Sequence, residues 1–170
     1  MSSFAEGKEF ISGWIRAKFR KGATCLDVGP CDGNWQSRLG DYLIMDAVEI
    51  WQANIDYHKL KDRYRECWCK DIADFEYEHY DLILFGDVIE HMSVEQAQKA
   101  VEYARTRCSE MIIAVPFLYR QGPMYGNQYE RHIQEDLTPE IFSERYPGFE
   151  VLYRPLPNYA YYIKKQEGQQ

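Results

Sequence analysis

A chain of 170 residues has room for one compact domain with a hydrophobic core, and not for two full domains. Apolar residues make up 45% of it and charged residues 28%, an ordinary globular composition that excludes extensive disorder. The formal net charge of −7 disfavours nucleic acid as a partner, because binding to phosphate backbones relies on lysine and arginine. We therefore expect a single domain over residues 1–170.

The cysteines indicate the compartment. The chain has five, an odd number, and they are scattered, which argues against a disulfide framework. The N-terminus lacks the apolar core of a signal peptide, and no apolar run approaches membrane-spanning length. We expect a cytoplasmic protein without membrane insertion.

The N-terminal segment, residues 1–22, is predicted to be mainly helical. Within it, apolar side chains recur at spacings of three and four, which places them on one helix face, and Gly22 ends the pattern. Residues 23–28 form an apolar run typical of a buried strand, and the turn 29–33 leads into a helix over residues 34–39. This order of strand, turn and helix is the first unit of an α/β domain.

The middle of the chain repeats that order. A second strand is predicted at residues 42–50 and a third, weaker one at 65–69, with a helix-compatible stretch at 52–61 between them. The continuous apolar run 80–85 is typical of a parallel sheet that is covered on both faces. A serine–glutamine capping box then opens the predicted helix 93–108.

The last third of the chain changes character. Residues 111–115 form a fifth predicted strand, and a long loop over residues 117–137 precedes a short helix that a threonine and a proline open. Two final strands, 149–153 and 159–163, lie close in sequence, which favours an antiparallel pair. We predict a Rossmann-like, doubly wound α/β domain: a mostly parallel seven-stranded sheet with an antiparallel edge strand and helices on both faces.

Acidic and glycine residues follow several predicted strands, at the sheet edge where open parallel sheets bind ligands. Asp27 ends the first strand, and the turn 29–33 after it contains glycines that let the backbone approach a ligand closely. Glu49 ends the second strand, about twenty residues later, where a carboxylate can accept both hydroxyls of a ribose. Asp71 follows the third strand and Asp87 the fourth. Together these positions predict one binding site.

This arrangement resembles the class I S-adenosylmethionine-dependent methyltransferases over nearly the whole chain. Their first motif is an acidic residue followed by spaced glycines, which Asp27, Gly29 and Gly33 match. Cys31 stands where a central glycine is common, and it fits if its backbone conformation is ordinary. The cofactor-binding residues that the resemblance implies are Asp27, Gly29, Cys31, Gly33, Glu49, Ile50, Asp71, Ile72 and Asp87. Asp27 and the turn 29–33 would hold the methionine part of the cofactor, and Glu49 would bind the ribose. Asp71 and Ile72 would contact the adenine, and Asp87 would flank the methyl group.

A nucleotide-binding dehydrogenase is the nearest competing enzyme, because it shares the sheet and the ribose carboxylate. The turn has the spacing Gly29-x-x-x-Gly33 and not the dehydrogenase fingerprint G-x-G-x-x-G. A pyrophosphate would also meet Asp32 at the helix N-terminus, where an anion needs bare N–H groups. The turn therefore favours a methyltransferase.

Methyl transfer needs an acceptor aligned behind the methyl group and, for a hydroxyl acceptor, a nearby base. His91 follows the fourth strand and His132 lies in the loop after the fifth, so both are candidate catalytic residues beside Asp87. The loop 117–137 is long for a compact domain and rich in aromatic and polar side chains, so we expect it to face the acceptor. Its candidate substrate-binding residues are Tyr119, Arg120, Tyr125, Asn127, Tyr129 and Arg131.

We therefore predict methyl transfer from S-adenosylmethionine to a hydroxyl, carboxylate or amine of a small or medium polar acceptor, either a small molecule or a glycan. The predicted core leaves no residues for an inserted lid domain, so the acceptor site is open or is completed by the second subunit of a homodimer. A protein that binds S-adenosylmethionine without catalysis is one alternative.

A second alternative involves a metal. The run from Asp87 to His91, together with a later histidine, is similar to a motif of metal-dependent small-RNA 2′-O-methyltransferases. That resemblance implies that Asp87, Glu90, His91 and His132 bind Mg²⁺ or Mn²⁺. Because the same run is frequent in metal-free relatives, we expect a site without metal.

Overall fold

The computed structural model describes residues 5–165. The first four residues of the predicted helical segment and the polar tail 166–170 lie outside this range. The helices are α1 (Lys8–Lys18), α2 (Asn34–Leu39), α3 (Gln52–Tyr57), α4 (Val94–Thr106) and α5 (Pro139–Arg145). The strands are β1 (Thr24–Val28), β2 (Ile44–Glu49), β3 (Cys67–Cys69), β4 (Tyr80–Gly86), β5 (Cys108–Pro116), β6 (Phe149–Leu156) and β7 (Tyr159–Lys164). Over the described residues, every helix is too short or too polar to span a bilayer.

The seven strands form one sheet in the order β3-β2-β1-β4-β5-β7-β6. Strands β1 to β5 pair in parallel, and β7 runs antiparallel to both of its neighbours. The predicted fold class is confirmed, with the refinement that the antiparallel strand lies one position inside the edge strand β6. The strand order reverses between β1 and β4: β2 and β3 lie on one side of β1, and β4 and β5 lie on the other. Sheets of this kind bind ligands at such a reversal.

Helices cover both faces of the sheet, because its strands are apolar on both sides. In β4, Ile83 and Phe85 pack into a core cluster that includes α4 and α5. Leu82 and Leu84 point the other way, into a cluster that includes α1, α2 and α3. This alternation follows from the two-residue period of a strand, and it leaves the strand ends as the places where polar side chains can gather.

The predicted helix 52–61 is shorter than its sequence pattern suggests. It ends at Tyr57, and Lys59 adopts a left-handed conformation with φ of 52° before a short 3₁₀ turn. That break turns Leu60 and Tyr64 into the core, where they are 0% and 5% exposed. Burial of two large side chains, each contributing about 1.5–3 kcal/mol, outweighs the local preference for a longer helix.

Candidate functional site

A cavity of about 320 Å³ lies over the carboxyl ends of the central strands. The last residues of β1, β2 and β4, namely Val28, Glu49 and Gly86, line it, and the loop after β5 supplies its other end. Its volume falls within the range of small-molecule binding sites. The cavity therefore sits where the strand-order reversal places it.

The cavity collects most of the predicted cofactor-binding residues. Those that line it are Gly29, Cys31, Glu49, Ile50, Asp71, Ile72 and Asp87. Asp27, in β1, and Gly33, which ends the turn before α2, are not part of the lining.

The turn after β1 is held in a conformation that requires glycine. Gly29 has φ of +63°, and a Cβ there would lie 2.9 Å from a methyl carbon of Val88. Gly33 has φ of +71°, and its Cβ would meet the Arg63 guanidinium at 2.6 Å. Arg63 donates hydrogen bonds to the carbonyl oxygens of Asp32 at 2.6 Å and of Gly33 at 2.7 Å. Sequence reasoning missed this brace, because Arg63 carries no local signal that links it to the turn.

Cys31 does not have the ordinary backbone that sequence reasoning required of it. Its φ is +50°, in the left-handed region. That conformation costs a residue with a Cβ about 1–2 kcal/mol. The central position of the turn therefore does favour glycine, and Cys31 occupies it under strain.

Replacing Cys31 with glycine is expected to raise the free energy of unfolding by up to about 1 kcal/mol, because the relief of strain exceeds the entropy that glycine loses on folding. Urea unfolding measures the change. Cys69→Gly is the matched control: it lies in β3 without positive φ, and it is expected to destabilise by about 0.5–1 kcal/mol. Equal destabilisation by both substitutions would show that the Cys31 backbone is unstrained.

Glu49 presents a buried carboxylate to the cavity. It is 4% exposed, and its two oxygens accept hydrogen bonds from the backbone N–H groups of Cys31 at 3.1 Å and Trp51 at 3.0 Å. Burial raises the pKa of Glu49, while these two hydrogen bonds oppose the rise. The Asn54 side chain is a third hydrogen-bond partner, which leaves the carboxylate an acceptor position for a ligand hydroxyl.

Asp27 is withdrawn from the cavity. It is 1% exposed, and the Tyr64 hydroxyl donates a 2.6 Å hydrogen bond to its Oδ2. Its Oδ1 has no hydrogen-bond partner among residues 5–165. Burial raises the pKa of Asp27 to about 7. The structure thus places the acidic residue of the predicted motif beneath the turn, against Tyr64.

Asp27→Asn is expected to stabilise the protein at alkaline pH. The folded state raises the pKa of Asp27 from 3.8 to about 7, so folding favours the neutral carboxyl and its contribution is lost as pH rises through that window. Asparagine stays neutral, and at about 1.4 kcal/mol per pKa unit the gain reaches at most about 4 kcal/mol above pH 8. Urea unfolding at pH 5 and pH 8.5 measures it, with the exposed Asp74→Asn as control. A gain that is equal at both pH values would contradict the assignment.

The end of the cavity that the loop after β5 forms contains a glutamate and two histidines. Glu90 is 1% exposed, and neither carboxylate oxygen has a hydrogen-bond partner within the described range. The rings of His91 and His132 have their centroids 4.6 Å apart. Side-chain ligand atoms of the three residues all lie within 4.8 Å of one another. We call these three residues the Glu–His–His cluster.

Both histidines are oriented by backbone carbonyl oxygens. The Nδ1 of His91 lies 3.1 Å from the carbonyl of Arg131, and the Nδ1 of His132 lies 2.8 Å from the carbonyl of Tyr119. A carbonyl oxygen only accepts, so each Nδ1 carries a proton and each neutral ring keeps its lone pair on Nε2. These two lone pairs are available to accept a proton or to bind a cation.

Burial sets the ionisation of the Glu–His–His cluster. It lowers the pKa of His91 to about 4, with the neighbouring His132 as a second cause. It also lowers the pKa of His132. The pKa of Glu90 is raised well above its usual range by burial, and Asp87 adds to the rise. Neutral imidazoles are thus the expected form near pH 7.

Asp87 stands apart from this cluster. It has φ of +56°, and its Oδ2 accepts a 3.0 Å hydrogen bond from the hydroxyl of Tyr159 in β7. Its carboxylate is not among the cluster of mutually close ligand atoms. Of the four residues in the predicted metal set, the structure brings together Glu90, His91 and His132.

A buried glutamine that sequence reasoning missed joins the two segments of the cluster. The side-chain amide of Gln134 donates to the carbonyl of Ile89 at 2.7 Å, and its backbone N–H donates to the carbonyl of Glu90 at 3.0 Å. These bonds tie the 3₁₀ turn Ile89–His91 to the loop that carries His132. Only the folded chain reveals this, because the partners are more than forty residues apart in sequence.

Only some residues of the loop 117–137 line the cavity. Among its predicted substrate residues, Tyr119, Asn127 and Tyr129 line the cavity, whereas Arg120, Tyr125 and Arg131 do not. Arg120 has a side chain that is 87% exposed and lies 3.4 Å from Glu135. Sequence reasoning also passed over lining residues such as Trp35 and Gln96, which no strand end signals.

Comparison with solved structures identifies the fold. No protein-family model matches the chain, and no curated protein matches it. A S-adenosylmethionine-dependent methyltransferase from Clostridium acetobutylicum matches with a TM-score of 0.73 at 14% identity, over 95% of this chain and 91% of that one. The chain has the S-adenosylmethionine-dependent methyltransferase fold.

Two further structures with the methyltransferase fold contain bound cofactor or product. The 1,6-didemethyltoxoflavin-N1-methyltransferase of Burkholderia thailandensis, with bound 1,6-didemethyltoxoflavin and S-adenosylhomocysteine, matches with a TM-score of 0.68 at 16% identity, over 94% of this chain and 79% of that one. The magnesium protoporphyrin IX methyltransferase of Synechocystis, with bound S-adenosylmethionine, matches with a TM-score of 0.63 at 14% identity, over 94% and 78%. At these identities the similarity concerns the fold.

Proposed function

We propose that this protein transfers a methyl group from S-adenosylmethionine to a polar acceptor. The observation that carries the proposal is the position of Gly29, Glu49 and Asp71 around one cavity that also opens onto two neutral histidines. The methyltransferase fold supports it, because that fold places the cavity at the strand-order reversal.

The lining fits this cofactor in shape and charge. At Gly29 the cavity wall is bare backbone, which leaves room for a ligand to approach. Glu49 offers two buried oxygens, as ribose hydroxyls require. S-adenosylmethionine carries positive charge on its ammonium and sulfonium, and the carboxylate of Asp87 in the lining complements it.

The chemistry required of the protein is modest, because a sulfonium is a good leaving group. The acceptor must be held in line with the methyl group, which converts a bimolecular reaction into an effectively unimolecular one. A hydroxyl acceptor must also lose a proton. We assign this step to the Nε2 lone pair of His132 or His91, and general-base catalysis of this kind contributes typically about 10²–10⁴-fold to the rate.

Calorimetric titration with S-adenosylhomocysteine tests the proposal. We expect one site with a dissociation constant in the micromolar range, about −8 kcal/mol. A protein that shows no binding at millimolar ligand would contradict the proposed function. Binding without formation of S-adenosylhomocysteine from S-adenosylmethionine and any acceptor pool would instead indicate the non-catalytic alternative.

Metal-assisted methyl transfer is a second candidate function, favoured by the Glu–His–His cluster. Glu90 is buried with two oxygens that lack partners among the described residues, and a bound cation would satisfy them. Ligating histidines typically donate their other ring N–H to a carbonyl, as His91 and His132 do. A divalent ion held there by the three residues would favour the deprotonated form of an acceptor hydroxyl.

The metal-assisted candidate function does not imply that the acceptor is RNA. The net charge is −7, and RNA binding depends on displaced counterions and hence on lysine and arginine. All five cysteines of the chain are free. We propose that the protein works in the reducing cytoplasm on acceptors other than nucleic acid.

A further inference from the structure

The end of the cavity beside the Glu–His–His cluster is polar, and none of the described residues that line it there is a lysine or an arginine. Its lining there combines amides and a carboxylate with two tyrosine rings: Gln96, Gln121, Gln128, Glu130, Tyr119 and Tyr129. Within residues 5–165, Lys70 is the only lysine or arginine in the lining, next to Asp71, with its Nζ 5.5 Å from the Phe75 ring centroid. A carboxylate or phosphate on the acceptor would meet the carboxylate of Glu130 here, and no lysine or arginine among the described lining residues at this end.

The rim beside this end presents an exposed tyrosine on a strained turn. Tyr125 and Gly126 have φ of +52° and +79°, and the N–H of Asn127 donates to the carbonyl of Met124 at 2.8 Å. Turns of this kind prefer asparagine or glycine, so a tyrosine is disfavoured at this position. The Tyr125 ring is nevertheless 86% exposed, two residues before Asn127, which lines the cavity. A costly residue with no packing role points to a ligand contact.

We propose that the acceptor is an uncharged carbohydrate, and this inference rests on the proposed function. A sugar ring offers an apolar C–H face, which fits a flat tyrosine ring, and hydroxyl groups, which both donate and accept hydrogen bonds. The rings of Tyr125 and Tyr129 supply the stacking surfaces at the rim. Inside the cavity, the Gln128 amide, the side-chain oxygen of Gln121 and the carboxylate of Glu130 supply the polar contacts, and the Gln121 amide nitrogen donates to the Glu130 carbonyl at 2.7 Å.

The reaction balances with the groups in the cavity. A sugar hydroxyl oxygen forms the new bond to the methyl carbon as the carbon–sulfur bond breaks, and the bonding pair stays on sulfur as neutral S-adenosylhomocysteine. The hydroxyl proton goes to the Nε2 lone pair of His132 or His91. The products are a methyl ether and an imidazolium, which returns its proton to water.

A carbohydrate array tests the inference directly. The labelled full-length protein, saturated with S-adenosylhomocysteine, is applied to neutral oligosaccharides and to matched acidic ones that carry uronic acid, sulfate or phosphate groups. We expect binding confined to neutral oligosaccharides. Tyr125→Ala and Tyr129→Ala should weaken it roughly tenfold, the loss of stacking surface, while Tyr57→Ala, an 83% exposed tyrosine in α3, should leave it unchanged.

The S-adenosylhomocysteine titration of each variant separates the possible failures. Retained affinity shows that a variant is folded. Preference for acidic oligosaccharides, absence of carbohydrate binding by protein that binds S-adenosylhomocysteine, or equal losses in Tyr125→Ala and Tyr57→Ala would overturn the carbohydrate inference alone. A wild-type protein that fails to bind S-adenosylhomocysteine would overturn the proposed function itself.

Discussion

Replacing Glu49 with alanine is expected to weaken S-adenosylhomocysteine binding by roughly 10- to 100-fold. Hydrogen bonds from ligand hydroxyls to an ionised carboxylate contribute about 1.5–3 kcal/mol, and alanine removes them. The substitution also removes the acceptor for the backbone N–H groups of Cys31 and Trp51, which donate to Glu49 at 3.1 and 3.0 Å. The backbone beside the cavity is therefore expected to become less ordered. Calorimetric titration at pH 7.5 measures the loss.

Two further variants sharpen the Glu49 test. Glu49→Gln keeps the shape but offers one acceptor oxygen in place of two, so its affinity should lie between those of wild type and Glu49→Ala. Glu150→Ala, an exposed glutamate on the edge strand β6, should bind as wild type does. Wild-type affinity in Glu49→Ala would remove the ribose role from this residue.

Under the metal-assisted candidate function, manganese is expected to stabilise the wild-type protein and not the His132→Ala variant. A ligand that binds only the folded state at about one hundred times its dissociation constant adds about 2.7 kcal/mol of stability. For a domain of this size that corresponds to a rise in Tm of several degrees. His132→Ala removes one of the three ligands in the Glu–His–His cluster, so the rise should vanish. Thermal unfolding with and without Mn²⁺ gives both values.

The control for this experiment is His79→Ala. His79 is exposed, contacts Ser109 at 3.1 Å and precedes β4, at the sheet edge opposite the cavity, so its loss should leave the manganese effect intact. S-adenosylhomocysteine affinity should be near normal in His132→Ala, which shows that the variant folds. A wild-type Tm that does not respond to Mn²⁺ would eliminate the metal-assisted candidate. The histidines would then act as bases, and turnover should fall in His91→Ala and His132→Ala.

The architecture and the cofactor end of the site were determined by the sequence alone. Alternating apolar runs and helical periods imply parallel crossovers, and these bring the carboxyl ends of the strands to one sheet edge. The carboxylates of Glu49, Asp71 and Asp87 were therefore expected to meet, and all three line the cavity. Local periodicity and the position of each residue relative to a strand end predicted this meeting, whereas the cofactor roles of the residues came from the family resemblance.

Tertiary structure alone decided what each of these groups contacts. Asp27 occupies a strand end like Glu49, yet the hydroxyl of Tyr64, thirty-seven residues away, draws it beneath the turn. Asp87 precedes Glu90 by three residues, yet Tyr159 holds its carboxylate outside the Glu–His–His cluster. Periodicity predicts the face on which a side chain lies, but not its partner on a distant segment.

The backbone conformations of the site, and the hydrogen bonds that brace it, also depend on the folded chain and not on local periodicity. Cys31 and Tyr125 adopt positive φ, which their residue types disfavour, because surrounding contacts and turns impose it. The braces provided by Arg63 and Gln134 join segments about thirty and forty residues apart. Their energies come from long-range hydrogen bonds in partly buried surroundings, which no local pattern encodes. The sequence therefore determined which elements form and which of their ends meet, and the packed chain determined how the site is held.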